Sequence, residues 1–231
     1  MKILALIPAR DGSKRLRQKN TRDLGGKPLI NWSIEQALGV ESISDVLVST
    51  DSEKIAKVSR EAGASVPWLR PKNLATDNAS SVEVAIHAID WYESQVCTID
   101  GLLLLQPTSP FRSKGTIEKA IDMFKLSNQR SIVSVSPSFG HLEKTFFYNK
   151  SIMLPILDLI NIPTQPKDHD NFYTVNGGVY LISPSQLRSE KSFFGSNLIP
   201  LKVDSPIESV DIDTEWDFLL ARIISEFLKD S

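Results

Sequence analysis

"ILALIPARDGSKRLRQKN", residues 3–20, passes from wholly apolar to strongly basic within a few positions. Ile3 to Ile7 has the character of a strand buried on both faces, as in a parallel sheet covered by helices. The loop after it contains Gly12 and Ser13 and is crowded with cations. From Arg10 to Lys27, seven basic residues (Arg10, Lys14, Arg15, Arg17, Lys19, Arg22, Lys27) stand against two acids, Asp11 and Asp23. The whole chain of 231 residues carries a net charge of −2, so this excess is local and raises the question of which anion it meets.

Working outward, short apolar runs alternate with segments of helical period. Strands are expected at Ile3–Ile7, Val46–Ser49, Ala64–Trp68, Leu102–Leu105 and Ile132–Val135. Helices are expected between them, at Leu29–Leu38, Glu53–Glu61, Val82–Tyr92 and Ile117–Leu126. Strand and helix in repeated alternation predict an α/β fold with a mainly parallel central sheet and right-handed crossovers. Ser80 and Glu83 form a capping box that opens the third helix. After Val135 the pattern breaks. Residues 139–170 mix aromatics, prolines and charges without helical period, "EKTFFYNKSIM" suggests a hairpin turning at Asn149–Lys150, and "FYTVNGGVYLIS" suggests a strand with a glycine kink. The expectation is one domain, 1–231, with 139–170 projecting from it.

Composition narrows the function. With 41% hydrophobic and 23% charged residues the chain is that of an ordinary globular protein, and its near-neutral balance argues against a nucleic-acid coat. Cys97 is the single cysteine, which rules out an intrachain disulfide, and His87, His141 and His169 are too scattered to suggest zinc. Arg10 cuts the first apolar run too short for a signal peptide, and no run approaches a membrane span, so a cytoplasmic protein is expected.

Ligands of open α/β sheets bind outside the carboxyl ends of the strands. The polar stretches fall there: Arg10, Gly12, Ser13 and Lys14 after the first strand, "STD" at 49–51 after the second, "LRPKNLATDNASS" after the third and "QPTSPFR" after the fourth. The first loop suits a polyphosphate, with Gly12 admitting backbone N–H groups and Arg and Lys supplying charge-assisted hydrogen bonds. It is neither a P-loop nor a dinucleotide fingerprint, and by itself it also fits a solvated basic loop. In "VDIDT", Asp211 and Asp213 are two apart on an extended segment, so both carboxylates face one way while Ile212 faces the core. Opposite a polyphosphate such a pair makes a Mg²⁺ site, although Asp213 or Thr214 is also placed to cap the last helix. Gln106 offers a bidentate amide to a base edge or simply ends a strand. Arg70, held extended before Pro71, is an anion contact or an exposed side chain. His87 and Cys97 are expected to be structural.

Together, "IPARDGSKRLRQKN", "GGKPLINWSIEQAL", "VSTDSEKIA", "GASVPWLRPKNLATDNASS", "LLLLQPTSPFR" and "VDIDTEWDF" resemble the cytidylyltransferases that activate nine-carbon sugar acids, the CMP-sialic acid synthetase family, over most of the chain. The resemblance implies a Rossmann-like nucleotidyltransferase fold, a projecting region that makes a homodimer, and CTP as the anion. It implies phosphate contacts from Arg10, Ser13 and Lys19, with Asn20 and the loop backbone near the nucleotide. Arg70, Ser81 and Gln106 would hold the cytidine or ribose, Asp211 and Asp213 would hold Mg²⁺, and Lys144 would lie near the sugar. Where family members often carry arginines, this chain has Lys167 in "QPK" and Thr174 before "NGGVY", so the sugar half of the pattern departs. The expected reaction is CTP plus a 2-keto sugar acid giving a CMP-sugar and pyrophosphate, with Arg10, Lys19 and Mg²⁺ offsetting charge on the leaving group and no assignable general base. A substrate of the sialic or legionaminic acid type is expected, with a lean to legionaminate. A CMP-Kdo synthetase, a non-catalytic nucleotide-binding protein and, more distantly, a hydride-transferring enzyme are the alternatives.

Overall fold

The computed structural model describes residues 1–138, 146–149, 152–155 and 172–230. In chain order these form β1 (Ile3–Pro8), β2 (Asp23–Leu24), β3 (Lys27–Pro28), α1 (Leu29–Leu38), β4 (Ile43–Ser49), α2 (Glu53–Glu61), α3 (Ser81–Gln95), β5 (Gly101–Leu104), α4 (Lys114–Leu126) and β6 (Ile132–Pro137). There follow β7 (Phe146–Asn149), β8 (Ile152–Pro155), β9 (Tyr173–Ile182), α5 (Pro184–Glu190), β10 (Ile199–Lys202) and α6 (Glu215–Asp230). Six strands make one sheet in the order β10-β6-β9-β5-β1-β4, parallel except for β9, which runs antiparallel between β6 and β5.

The first strand shows why the sheet is a central layer. Side chains alternate across a strand, and here both sets are apolar. Ile3, Ala5 and Ile7 join the cluster containing Ile34 of α1, Ala56 of α2 and Phe124 of α4, while Leu4 and Leu6 join the one containing Ala85 and Ile89 of α3 and Leu187 of α5. The two faces thus bury separate helical layers, which the unbroken apolar run of β1 anticipates. The capping box at Ser80 and Glu83 is present, with both reciprocal hydrogen bonds made.

Two local expectations are corrected. Ala64–Trp68 is not a ladder strand: it touches the sheet through single bridges, Leu47 with Ser65 and Thr50 with Leu69. Pro67 removes a donor from the run, so a continuous ladder has no partner N–H there. The extended segment expected at "VDIDT" is irregular coil before α6 and joins no strand. The expected hairpin exists, but Asn149 pairs with Ile152 inside the ladder instead of forming the turn. Most of the 139–170 segment lies outside the described residues.

Strand β9 carries the expected kink. Val133 and Val135 of β6 face Tyr180 and Val175, so two steps on one strand oppose five on the other. The surplus bulges at Asn176–Val179, where Gly177 has φ +76°, a conformation that glycine adopts without penalty. Side chains satisfy the displaced backbone groups. Ser134 Oγ accepts from Val179 N at 2.7 Å, Asn176 Oδ1 accepts from Gly178 N at 3.0 Å, and Arg112 Nε donates to Gly178 O at 2.7 Å.

Candidate active site

A cleft of about 490 Å³ opens beyond the carboxyl ends of β1 and β5. Arg10, Ser13, Lys19, Asn20, Arg70, Ser81, Gln106 and Asp213 all line it. Residues separated by two hundred positions therefore converge as expected. An apolar anchor positions the basic loop. Leu16, amid the cations, is fully buried with Leu24, Leu29, Phe111, Ile212, Phe218 and Ala221. Burying one leucine contributes about 1.5–3 kcal/mol, and this one pins the loop against the segment that carries Asp211 and Asp213. Asn20 Nδ2 donates to Arg10 O at 3.0 Å and Asp51 Oδ1 accepts from Asp11 N at 3.0 Å, fixing the loop's near end. Gly12 does not line the cleft, and a Cβ there would meet nothing within 4 Å, so this geometry does not require glycine.

The cations are not bare. Arg10 and Lys14 both reach Asp77, at 2.6 and 2.5 Å, and Arg15 and Lys19 both reach Asp213, at 3.2 and 3.1 Å. Arg22 pairs with Glu215 and Lys27 with Glu35. Six of the seven basic residues between Arg10 and Lys27 thus have an acidic partner within the chain. The pairs differ in weight. Lys19 is only 12% exposed and also donates to Ile212 O at 2.8 Å, so it is well ordered, whereas Arg15, at 73% exposure, forms a screened surface pair.

Arg70 is a buried side chain rather than an exposed one. Its Nε donates to Ser49 Oγ at 3.0 Å and it also hydrogen-bonds Ser49 O, tying it to the end of β4. Burial pulls its guanidinium down to about 10, against the opposing charge of Asp51, which leaves it protonated at neutral pH. Ser81 is exposed at the start of α3. Gln106 packs its Oε1 so close to Gly177 that a Cβ on that glycine would lie 2.8 Å away. Arg112, fully buried, donates to Ser33 Oγ at 2.8 Å and to Gln106 O, besides Gly178 O. It thereby joins the turn after β5 to the bulge of β9. Burial pulls it down to about 9, with Glu208 and Asp211 opposing.

A second cavity, about 320 Å³, lies along β6 and β9 and is lined by Ser136, Ser138, Thr174, Asn176, Ser209 and Asp211 among others. Asp211 lines this cavity and Asp213 the first, so the Asp211–Asp213 segment is the boundary between them. Lys144 and Lys167 lie outside the described residues.

The two aspartates fit a divalent cation. Thr214, not Asp213, caps α6: Thr214 Oγ1 accepts from Asp217 N at 3.3 Å, and Asp217 Oδ2 accepts from Thr214 N at 2.8 Å and Asp213 N at 3.0 Å. Asp213 is thus released from capping. Asp211 is raised above the usual carboxylate range, first by the burial of its surroundings and further by the charges of Asp213 and Asp217, against a hydrogen bond with Thr108 and the charge of Lys19. The residue itself reaches solvent, which screens both contributions. Mutually repelling carboxylates are a donor set that a cation relieves. Among the described residues no group of three or more metal-ligating side chains stands ready; Mg²⁺ typically takes one or two carboxylates plus phosphates and water.

Sequence reasoning passed over Asp77, Thr108, Arg112 and Asn176. Asp77 and Arg112 both stand inside stretches it singled out, but neither a buried arginine without a carboxylate nor an acid that reaches back across a cleft has a local signature.

Comparison with known proteins accords with this geometry. The CMP-Kdo synthetase structure complexed with CTP superposes with a TM-score of 0.71 over 100% of both chains at 18% identity, which establishes the fold. The CMP-N,N'-diacetyllegionaminic acid synthase of Legionella pneumophila is 38% identical, covering 100% of this chain and 99% of its own. The N-acylneuraminate cytidylyltransferase of Escherichia coli O18:K1:H7 is 36% identical over 97% of this chain, which spans 52% of that longer protein. The pseudaminic acid cytidylyltransferase of Campylobacter jejuni is 32% identical over 97% and 96%. The profile of the cytidylyltransferase family matches residues 4–152, and with that match and these identities the chain belongs to the cytidylyltransferase family.

Proposed function

We propose that the protein transfers CMP from CTP to a nine-carbon 2-keto sugar acid, releasing pyrophosphate, and that the sugar is of the legionaminic acid type. The observation that carries this is the adjacency of two unlike cavities across Asp211–Asp213: one edged by cations, the other by hydroxyl and amide groups. The basic cleft takes the triphosphate, with Arg10, Ser13 and Lys19 toward the phosphates and Arg70, Ser81 and Gln106 toward the cytidine. The hydroxyl-lined cavity takes the sugar, with Thr174 on its wall and Lys144 and Lys167 as partners for the carboxylate. Its hydroxyl-lined and methyl-bearing wall suits a sugar with acylamino and methyl groups in place of hydroxyls, and the full-length likeness to the Legionella protein supports the same choice.

In this arrangement the anomeric hydroxyl attacks the α-phosphorus in line and gives up its proton to solvent, the bond from the α-phosphorus to the bridging β-phosphate oxygen breaks, and Arg10 and Lys19 meet the charge left on pyrophosphate. Asp211 and Asp213 would hold Mg²⁺, which would supply Lewis acidity. The same proposal includes a homodimer through residues 139–170 and a cytoplasmic location. The hairpin β7–β8 is a separate two-stranded sheet rather than part of the main one, and among the described residues no helix is long and apolar enough to cross a membrane. Pyrophosphate release from CTP, assayed with legionaminate, N-acetylneuraminate, pseudaminate and Kdo, tests the assignment. Turnover greatest with legionaminate is expected. Preference for Kdo would overturn the substrate class, and preference for N-acetylneuraminate would overturn only the choice within it.

A further inference from the structure

Asp77 stands on the segment between two fixed points. At one end Arg70 N donates to Thr50 O at 2.6 Å, and at the other Ser80 closes the capping box of α3. Between them Leu74, Thr76, Asp77 and Ala79 line the cleft directly across from the basic loop. Among the described residues Asp77 has two ion-pair partners, Arg10 and Lys14, one on each carboxylate oxygen. These contacts hold its carboxyl below the usual range, Lys14 contributing first and Arg10 next. Asp213, the other acid that takes two cations, also lies beside Asp211 at the cation site proposed above. Asp77 has no such second task, caps no helix and packs against no core cluster.

We propose that Asp77 is an internal competitor for the phosphate site: its carboxylate holds Arg10 and Lys14, and a phosphate chain that uses those cations has to displace it. This rests on reading the cleft as the polyphosphate site. An exposed pair is weak, so the competition is mild and reversible, as a site that must release a product requires. The Arg70–Ser80 segment returns Asp77 to the two cations as pyrophosphate leaves. The carboxylate also repels an approaching polyanion before contact, so its removal acts in the same direction twice.

The test is titration of the full chain with inorganic pyrophosphate by calorimetry, at fixed Mg²⁺ and low salt, for the wild type, Asp77→Asn and Asp77→Glu. Asp77→Asn should bind pyrophosphate about three- to tenfold more tightly, from the loss of two exposed pairs. Asp77→Glu should stay near the wild type. The gain should shrink at about 0.5 M salt, where such pairs are screened. In turnover, pyrophosphate should become a stronger product inhibitor of Asp77→Asn by a similar factor. Wild-type binding with no tightening, or with weaker binding, in Asp77→Asn would overturn the competitor while leaving the cleft assignment intact. If neither protein bound pyrophosphate, the cleft assignment and the competitor would fall together.

Discussion

The two cavities on either side of Asp211–Asp213 are built in opposite ways. The basic cleft uses charge, and apart from Arg70 its cations come from one short loop anchored by a single buried leucine, with internal carboxylates holding those loop cations in reserve. The neighbouring cavity uses no cation among its described lining residues; it borders a bulge in β9 whose shape depends on hydrogen bonds accepted by Ser134 and Asn176 and one donated by Arg112. The difference fits what each must recognise. A triphosphate is the same in every turnover and is met by long-range charge. A sugar acid differs from its relatives by single groups, and directional hydrogen bonds and shape separate such groups where charge does not.

The boundary itself gives the largest test. Asp211→Ala should lower turnover about a thousandfold or more, on the order of 4 kcal/mol, by removing half of the proposed Mg²⁺ site. Circular dichroism should show the fold unchanged, because Asp211 is exposed. Activity near the wild type at saturating Mg²⁺ would remove Asp211 from the chemistry and leave the two cavities unconnected.

On the basic side, Leu16→Ala should cost about 3 kcal/mol in urea unfolding, the usual toll for a fully buried leucine. The KM for CTP should rise with it, because the loop loses its anchor while keeping its charge. A large stability loss with unchanged CTP affinity would mean that charge alone positions the loop.

On the hydroxyl-lined side, Gly177→Ala should cost about 1–2 kcal/mol, since φ +76° disfavours a Cβ and that atom would meet Gln106 Oε1 at 2.8 Å. Its kinetic effect should fall on kcat and the sugar KM more than on pyrophosphate affinity. Equal effects on the sugar KM and on pyrophosphate affinity would show that Gln106 serves the two cavities alike.

The smallest effect is a gain. Because the folded-state pKa of Asp211 is raised, its contribution to stability is present at low pH and lost as pH rises through that value, where the ionised form is disfavoured by burial of its surroundings and by Asp213 and Asp217. Without added divalent cation, Asp211→Asn should therefore melt higher than the wild type, by about 2 °C at most. The difference should grow as pH is raised from about 4 towards 7. A difference that stayed flat across that range would mean the carboxylates do not repel one another in the folded protein.

What the sequence by itself determined was whatever is written in periodicity and local chemistry. The double-sided apolar run of β1 reports a central strand, Ser80 and Glu83 report a helix start, and Gly177 in "NGGVY" reports a kink, because each depends on neighbours within a few residues. The residue types gathered at strand ends were legible for the same reason. Only the tertiary structure decided how they meet. It closed six cations of the basic loop onto acids, among them Asp77 and Asp213, and drew Arg70 inside to Ser49. It gave the cap of α6 to Thr214 and set Arg112 between the turn after β5 and the bulge of β9. Ion pairs and buried hydrogen bonds join residues as far apart as Lys19 and Asp213, and their energies depend on distance and burial, which no pattern along the chain encodes.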